Sequence, residues 1–373
     1  MCTEFILPYE GDNPIIISGR TMDFAEGTEM YMVKVPVGHT ATSTAPPGGK
    51  ALSWKTKYGF VGIAAKPGGF YSFSDGLNTE GLSVAELWLT YTDYDGVEEK
   101  NAAAAVHKIE EDCEYLNFTK IIDYLLSTCT DVDQVRAELD NVDVWLPEAY
   151  EEQVPCHLSI HDRSGNSLVV EFIKGQKVYY NNKDIGVLAN GPTYDWHAVH
   201  FNYFFNSLNS KDNDIDKYVQ LKKDKSGIHN ITSGDGFQYE VLGTGMFGLP
   251  GDSTSPARFV RAGKLRHCVP TDYDNRTGVQ YALQVLGRIT VCDREVLLYF
   301  DNNGKPIQPR NAYNPTLWKT VRDHVDRIYY YCTHLNQNIQ AIKLNELDFT
   351  DGKMQVTTLS DESWYNDSTS KLK

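Results

Sequence analysis

A chain of 373 residues with 41% hydrophobic and 12% aromatic side chains can bury a large core, which excludes a disordered or fibrous protein. A formal charge of −15 without any Lys/Arg cluster excludes a stripe that tracks phosphates, so neither nucleic acid nor an anionic membrane is an expected partner. No run approaches the ~20 apolar residues of a spanning helix, and the first twenty residues lack a secretory pattern, so the chain as given reads as cytoplasmic.

In chain order, apolar alternation in "TEFILPY", "NPIIISGRTMDF" and "EMYMVKVPV" predicts strands, followed by the Gly-, Pro- and Thr-rich loop "GHTATSTAPPGGKA". "YGFVGIAA", "GGFYSFSDGLN" and "GLSVAELWLTY" extend the sheet, with "LNTEGL" as a turn between two strands. Helical spacing then predicts a helix over "LNFTKIIDYLLSTC" and a second from the Thr-Asp start of "TDVDQVRAEL". Strands return as a meander in "CHLSIHDRSG", "NSLVVEFIKG" and "QKVYYNN"; helices follow in "SPARFVRAGKLRHCV" and "TGVQYALQVLGRI". The last third gives two strands in "LWKTVRDHVDRIYYYCTH" and then "IQAIKLNEL". This alternation predicts an α+β layered domain whose strands come from both ends of the chain. With no repeat and no linker, a single domain over 1–373 is expected, with a loose tail from about residue 360.

Seven scattered cysteines, odd in number and without a C-x-x-C pair, argue against a disulfide framework and a zinc ribbon. "GTGMFG" (243–248) matches G-x-G-x-x-G, but it leads into "LPGDST" rather than opening a helix, and a nucleotide site is not expected. "HAVH" puts His197 and His200 close enough to share a helix face, yet no third ligand accompanies them; packing is the expected role, and neither a metal nor an organic cofactor is implied.

Cys2 is a candidate nucleophile, although any chain can begin Met-Cys and the position taken alone is weak. Removal of Met1 would leave one residue holding both a thiol and an α-amine whose pKa of about 8 suits a base near neutrality. "GRTMDF" sets Arg20 and Asp23 at a strand end, where a guanidinium can lower a thiol's pKa and a carboxylate can hold an ammonium; a surface ion pair is the plain alternative. Asn190 follows the apolar strand "GVLA" as an amide able to donate to an oxyanion, or as a turn residue. Arg258 opens a helix, beside the site or in a cap-region salt bridge.

Taken in order, "MCTEF", "GRTMDF", "SWKTKYG", "SDGLNTEGLSVAELWL", "GVLANGPTYDWH", "GLPGDSTSPARF" and "LWKTVRDHVDRIYYYCTHLNQNI" resemble the choloylglycine hydrolase family, the bile salt hydrolases and penicillin V acylases among N-terminal nucleophile hydrolases, over nearly the whole chain. The resemblance implies a four-layer αββα sandwich that cleaves linear, non-peptide amide C–N bonds without a cofactor, with Cys2 as nucleophile. It implies further that Arg20 and Arg258 shape the field at the thiol, that Asp23 orients the amine, and that Asn190 with the backbone N–H of Trp88 holds the oxyanion. A small acyl amide is the implied substrate and a homotetramer the implied assembly. Phe24, Phe70, Tyr71 and Trp88 are the aromatic candidates for an acyl pocket. Trp88 departs from the Asn typical of bile salt hydrolases and matches the aromatic of penicillin V acylases; Phe24 stands where Gram-negative acylases usually carry Trp. Cleavage of the N-acyl amide of acyl-homoserine lactones, acyl transfer to an amine on the same site, and a silent binding protein that keeps the fold are the alternative readings.

Overall fold

Strand β1 (Cys2–Ile6) is buried at all five positions although its side chains alternate between faces, so both faces must be covered. The structure, a computed structural model, describes all residues except 13, 26, 28, 95–112, 148–153, 208–219, 224–228, 233–236, 239–245, 247, 297–312, 360–362 and 373. Most of "GTGMFG" therefore lies outside the described residues. After β1 come β2 (Ile17–Asp23), β3 (Met30–Val35), β4 (Phe60–Ala65), β5 (Ser72–Asn78), β6 (Ser83–Trp88) and β7 (Cys156–His161). The remaining strands of the two large sheets are β8 (Ser167–Ile173), β9 (Gln176–Asn181), β10 (Val187–Leu188), β11 (Thr316–Asp323), β12 (Ile328–Thr333), β13 (Gln340–Lys343) and β14 (Gln355–Thr358).

One sheet has six strands in the order β10-β1-β2-β11-β12-β13, the other eight in the order β9-β8-β7-β6-β5-β4-β3-β14. Both ends of the chain supply strands to each sheet. Helices α1 (Ile121–Thr128) and α2 (Val132–Asp140) cover the eight-stranded sheet, where Ile122, Leu125 and Leu126 join Phe60, Phe73 and Val170. Helices α3 (Tyr194–Ser207), α4 (Ser255–Arg266) and α5 (Asn275–Ile289) cover the six-stranded sheet, with Phe259, Val285 and Leu286 against Phe5, Ile17 and Val321. Val61, Ile63 and Leu77 meet Trp318, Tyr329 and Tyr331 between the sheets. The result is an α+β sandwich of layers αββα, in which each fully buried aliphatic or aromatic side chain contributes about 1.5–3 kcal/mol. Gly19 leaves room for its cross-strand partner: a Cβ there would sit 2.8 Å from the Phe5 ring and 3.4 Å from Leu286 of α5.

One expected helix starts later than its apolar spacing suggested. Residues Glu114–Asn117 of "EYLNFTK" form a strand parallel to Val142–Trp145, and α1 begins only at Ile121. Asn117 is the reason: its side chain accepts from Thr119 N at 3.0 Å while its backbone stays extended, which ends the strand and starts a turn. In the tail, residues 363–371 are exposed.

The space between the sheets also holds charge. Asp75 on β5 accepts from Arg322 on β11, from Arg20 on β2 at 3.3 Å and from Tyr329 on β12 at 3.0 Å. Glu4 on β1 accepts from Arg322 at 2.8 Å and lies 3.2 Å from His161 on β7. Burial alone would raise Glu4, but Arg322, His161 and Arg20 hold it at about 2, below its ordinary 4.5. A carboxyl depressed on folding stabilises the native state above its unfolded pKa and loses that contribution as pH falls through its folded value. Glu4→Gln is therefore expected to cost about 3 kcal/mol at pH 6. The gap between the urea midpoints of wild type and variant should narrow steadily towards pH 3; a gap constant over that range would contradict the assignment.

Candidate active site

The site forms where β1 and β2 end together. Cys2 lies opposite Met22, and the ladder runs one residue further: Asp23 N donates to Met1 O at 2.7 Å, and Met1 N donates to Asp23 O. Arg20 and Asp23 are three apart on a strand and so point to opposite faces. They do not form the surface ion pair that was one sequence reading: both are fully buried, and each has its own partner.

Arg20 points between the sheets. Its Nη1 donates to Ser74 O and to Asp75, its Nη2 donates to Glu86 O, and the same Nη2 lies 3.6 Å from Cys2 Sγ. The guanidinium also stacks over Trp318 at 5.0 Å. Burial works against its charge, yet Cys2, Asp75 and Glu4 hold its pKa above the usual arginine value. It is a fixed cation beside the sulfur. Met22 Sδ, 3.5 Å from Cys2 Sγ, gives the thiol an apolar neighbour.

Asp23 points to the helical face, where its carboxylate accepts from Thr316 Oγ1 at 2.6 Å and lies 3.6 Å from Arg258 Nη1. Arg258 is in the first turn of α4, a helix capped by Thr254. Its Nη1 donates to Cys2 O at 2.6 Å and to Thr3 Oγ1; its Nη2 donates to Asn190 Oδ1 at 2.7 Å. Burial lowers its pKa against the pull of Asp23 and Cys2. Asn190 Oδ1 also accepts from Cys2 N at 2.7 Å, and Asn190 Nδ2 donates to Trp88 O at 2.9 Å. With Met1 in place, the nitrogen of Cys2 thus meets Asn190 rather than the Asp23 carboxylate. An amide Nδ2 carries two hydrogens, so one remains for another acceptor.

Residues that sequence reasoning did not assign to the site hold Asn190 rigid. Its N–H donates to Ser255 Oγ at 2.9 Å, and its carbonyl lies 2.7 Å from His197 Nε2. The preceding carbonyl, of Ala189, lies 2.8 Å from His157 Nε2, whose Nδ1 is 3.1 Å from Glu171. Burial lowers His197 to about 4, so near neutrality the ring is uncharged and donates through Nε2. His197 stacks on Phe259 with centroids 4.6 Å apart, whereas His200 stacks on Trp196; the two rings belong to different contacts. Among the described residues no group of three His, Cys, Asp or Glu side chains could hold a metal ion, and no helix is long and apolar enough to cross a membrane.

A cavity of about 550 Å³ opens at this point, lined by Met1, Phe24, Trp88, Thr90, Tyr91, Asn190, Gly191, Pro192, Ser255 and Asn314. Phe24 and Trp88 are therefore at the cavity, Trp88 as the last residue of β6. Phe70 and Tyr71 are not among its lining residues: Phe70 carries Lys120 over its ring, and Tyr71 packs edge-on against Tyr31. Tyr91 and Pro192 supply wall that the sequence reading did not name. Cys2 itself is only 4% exposed.

Because His197 both fills space and closes a hydrogen bond, His197→Ala should destabilise the chain by about 2–4 kcal/mol through a cavity beside Phe259 and an unpaired Asn190 carbonyl. His197→Gln, which keeps a donor, should recover part of that loss in urea denaturation. Equal midpoints for the alanine variant and wild type would show that the contact carries nothing.

The pattern of linear amide C–N hydrolases of the choloylglycine hydrolase family matches residues 2–358. A bile salt hydrolase/transferase of Clostridium perfringens is 26% identical over 353 residues, 93% of each chain. A penicillin V acylase of Pectobacterium atrosepticum is 30% identical over 202 residues, 52% of this chain and 50% of that one. In three dimensions, the C2A mutant of the conjugated bile acid hydrolase from Clostridium perfringens superposes with a TM-score of 0.72 at 23% identity, covering 97% of this chain and 98% of the other. The penicillin V acylase from Agrobacterium tumefaciens gives 0.69 at 23% identity over 96% and 91%. A cysteine at the end of an all-buried strand, inside an αββα sandwich and along a family pattern that runs almost end to end, leads to one assignment: the chain belongs to the choloylglycine hydrolase family and is an amidohydrolase of linear amides.

Proposed function

We propose that Cys2 is the nucleophile of this amidohydrolase and that it works once the peptide bond before it has been cut, which for this sequence means loss of Met1. The observation that carries the reading is the meeting, beside one cavity, of the Cys2 sulfur with Arg20 at 3.6 Å and of the Cys2 nitrogen with Asn190 at 2.7 Å. Freed, that nitrogen becomes an α-amine with an ordinary pKa of about 8. The thiolate attacks the acyl carbonyl and forms a C–S bond; the oxyanion accepts from the second hydrogen of Asn190 Nδ2 and from the Trp88 N–H. As the tetrahedral adduct collapses the C–N bond breaks, and the departing nitrogen takes its proton from the Cys2 ammonium. Water then adds to the thioester, giving the free acid and restoring the thiol. In this reading Arg20 holds the thiolate, while Arg258 and Asp23 fix the strand end that carries it.

Cys2→Ala should abolish amide cleavage with an unchanged circular dichroism spectrum, and Asn190→Ala should lower kcat by ~10² to 10³. The intact mass of active enzyme should lack Met1. Full activity in Cys2→Ala would sink the mechanism.

We infer a penicillin V acylase-like preference for the acyl half. Phe24, Trp88 and Tyr91 line the cavity, and a flat indole next to the reacting carbonyl can stack on an aryl ring or border an alkyl chain while removing a side chain that could hydrogen-bond a steroid head. The bile salt hydrolase/transferase relative supports a second reading on the same site, in which an amine instead of water takes the acyl group from the thioester. Phenoxyacetyl or long-chain acyl amides should be cleaved with kcat/KM about tenfold or more above glycocholate and taurocholate. Preference for the bile salts would overturn this substrate assignment and leave the Cys2 chemistry standing. A cytoplasmic homotetramer belongs to the same proposal on family grounds alone; light scattering at the monomer mass of 42.1 kDa would contradict it.

A further inference from the structure

Between the sheets, the cation beside the nucleophile is incompletely neutralised. Arg20 Nη1 reaches Asp75 only at 3.3 Å; the guanidinium otherwise donates to the carbonyls of Ser74 and Glu86, with the Cys2 and Met22 sulfurs beside Nη2, and its Nε has no partner among the described residues. Asp75 is held more closely by another cation. Arg322 Nε donates to its Oδ1 at 3.0 Å and Arg322 Nη2 to its Oδ2, the two-point grip of a guanidinium on a carboxylate. Tyr329 and Thr320 add hydroxyl donors to the same carboxylate at 3.0 and 3.2 Å. Arg322 therefore takes up most of the anion that would otherwise neutralise Arg20.

Arg322 is balanced in turn. Its Nη1 donates to Glu4 at 2.8 Å and to Ser18 Oγ at 3.1 Å. Strand register brings these groups together: Glu4 lies opposite Arg20 on the β1–β2 ladder and Ser18 opposite Arg322 on the β2–β11 ladder, while Glu4 is two residues from Cys2 and so shares its face of β1. Arg20, Asp75, Arg322 and Glu4 are all 0% exposed, so their charges act on one another and on the sulfur with little screening by solvent. Two histidines end the row. His161 Nε2 lies 3.2 Å from Glu4 while its Nδ1 meets no partner among the described residues, so a single proton on Nε2 satisfies the ring. Burial holds His324 at about 3, which leaves it uncharged between Ser18 Oγ and Gly81 O.

The other ionisable groups around Arg20 and the sulfur lie elsewhere. Arg258 and Asp23 stand on the α4 side, where Arg258 holds Cys2 O. Desolvation keeps the Glu86 carboxyl of β6 up at about 7, and burial raises the Cys156 thiol of β7 well above its usual value. The amine freed by loss of Met1 adds one more. None of these side chains bonds to Glu4 or Arg322, so a change in that pair leaves them in place and reaches the sulfur through the buried field. Glu4, held at about 2, stays ionised throughout the working range.

We propose that Arg322 and Glu4, neither of which lines the cavity, are positioning residues for the nucleophile: Arg322 occupies Asp75 and so leaves the charge of Arg20 to the Cys2 thiolate, and Glu4 moderates that effect. The inference rests on the Cys2 mechanism. Substitutions in the pair then act in opposite directions, which a loss of packing would not do. In Arg322→Met the Asp75 carboxylate turns to Arg20 and cancels its charge, which disfavours the thiolate. In Glu4→Gln an acceptor remains for Arg322 Nη1 while a negative charge near the sulfur is gone, which favours it.

The test is the pH dependence of iodoacetamide alkylation at Cys2 in the processed enzyme, read from the mass of the Cys2 peptide so that the exposed Cys268 and Cys292 do not count. Relative to wild type, the alkylation midpoint should rise by about one pH unit in Arg322→Met and fall by about one in Glu4→Gln, a tenfold change in thiolate below the midpoint in each case. The acidic limb of the kcat/KM profile for a phenoxyacetyl amide should move with it. If the methionine variant does not fold, Glu4→Gln decides alone, and a midpoint unchanged or raised there counts against the proposal. A midpoint that stays put in either folded variant, or shifts of the same sign in both, would overturn the positioning role and leave the Cys2 mechanism intact. Amide cleavage that survives complete alkylation of Cys2 would overturn the mechanism together with it.

Discussion

An arginine cannot shed its charge inside a protein, and its planar guanidinium carries five N–H donors that need acceptors. Arg20 is fully buried between two sheets, so the strands around it have to open to receive it. They do so at β5 and β6, whose ladder runs only over Asp75–Leu77 against Ser83–Ala85. Just beyond it, Ser74 O and Glu86 O turn to Arg20 instead of serving a sheet partner. On the other side of β5 the register shifts between Ile63 and Ala64, which re-aims the strand where it meets the cation. The gap so formed is where the sulfur of Cys2 sits, 3.6 Å from the same guanidinium.

Charge is shared there rather than simply paired off. Asp75 serves Arg20 and Arg322 together, and Arg322 is also bound by Glu4. Because the Asp75 carboxylate is divided between two cations, Arg20 keeps positive potential to offer the thiol. On the opposite face of β1, Arg258 performs a separate task with the same chemistry, tying Cys2 O, Thr3 and Asn190 to the start of α4. The two arginines clamp the strand end from both sides, and Cys2 is the residue common to both.

Asn190 shows the rigidity this brings. Its N–H, its carbonyl, its Oδ1 and one hydrogen of its Nδ2 are all engaged, by Ser255, His197, Cys2 with Arg258, and Trp88 respectively. A group so fixed costs no reorganisation when charge develops beside it, which is the physical basis of preorganised electrostatic stabilisation. The neutral state of His197 follows from the same constraint: a charged ring at that depth would have to be compensated, and among the described residues only Nε2 has a partner.

Much of this was legible in the sequence. Period-2 alternation located β1 to β8, β11 and β12, the helical spacing of "SPARFVRAGKLRH" and "TGVQYALQVLGRI" located α4 and α5, and the ordered segments around Cys2, Arg20, Asp23, Asn190 and Arg258 named the family. Local pattern determined these because it depends on residues near in the chain. Spacing alone also holds Arg20 and Asp23 on opposite faces of one strand, three residues apart. What it could not supply were pairings across hundreds of positions: Arg20 with Asp75, Arg258 with Cys2 O, Asn190 with His197 and Ser255. Phe70 and Tyr71 were placed by residue type, yet the sheet carries them to Lys120 and Tyr31, while Tyr91, Pro192 and Asn314 reach the cavity from loops that have no periodic signal. The sequence by itself determined which side chains have the chemistry. Only the tertiary structure decided which of them meet, because burial of a guanidinium or an amide is settled by the donors and acceptors that distant strands bring to it.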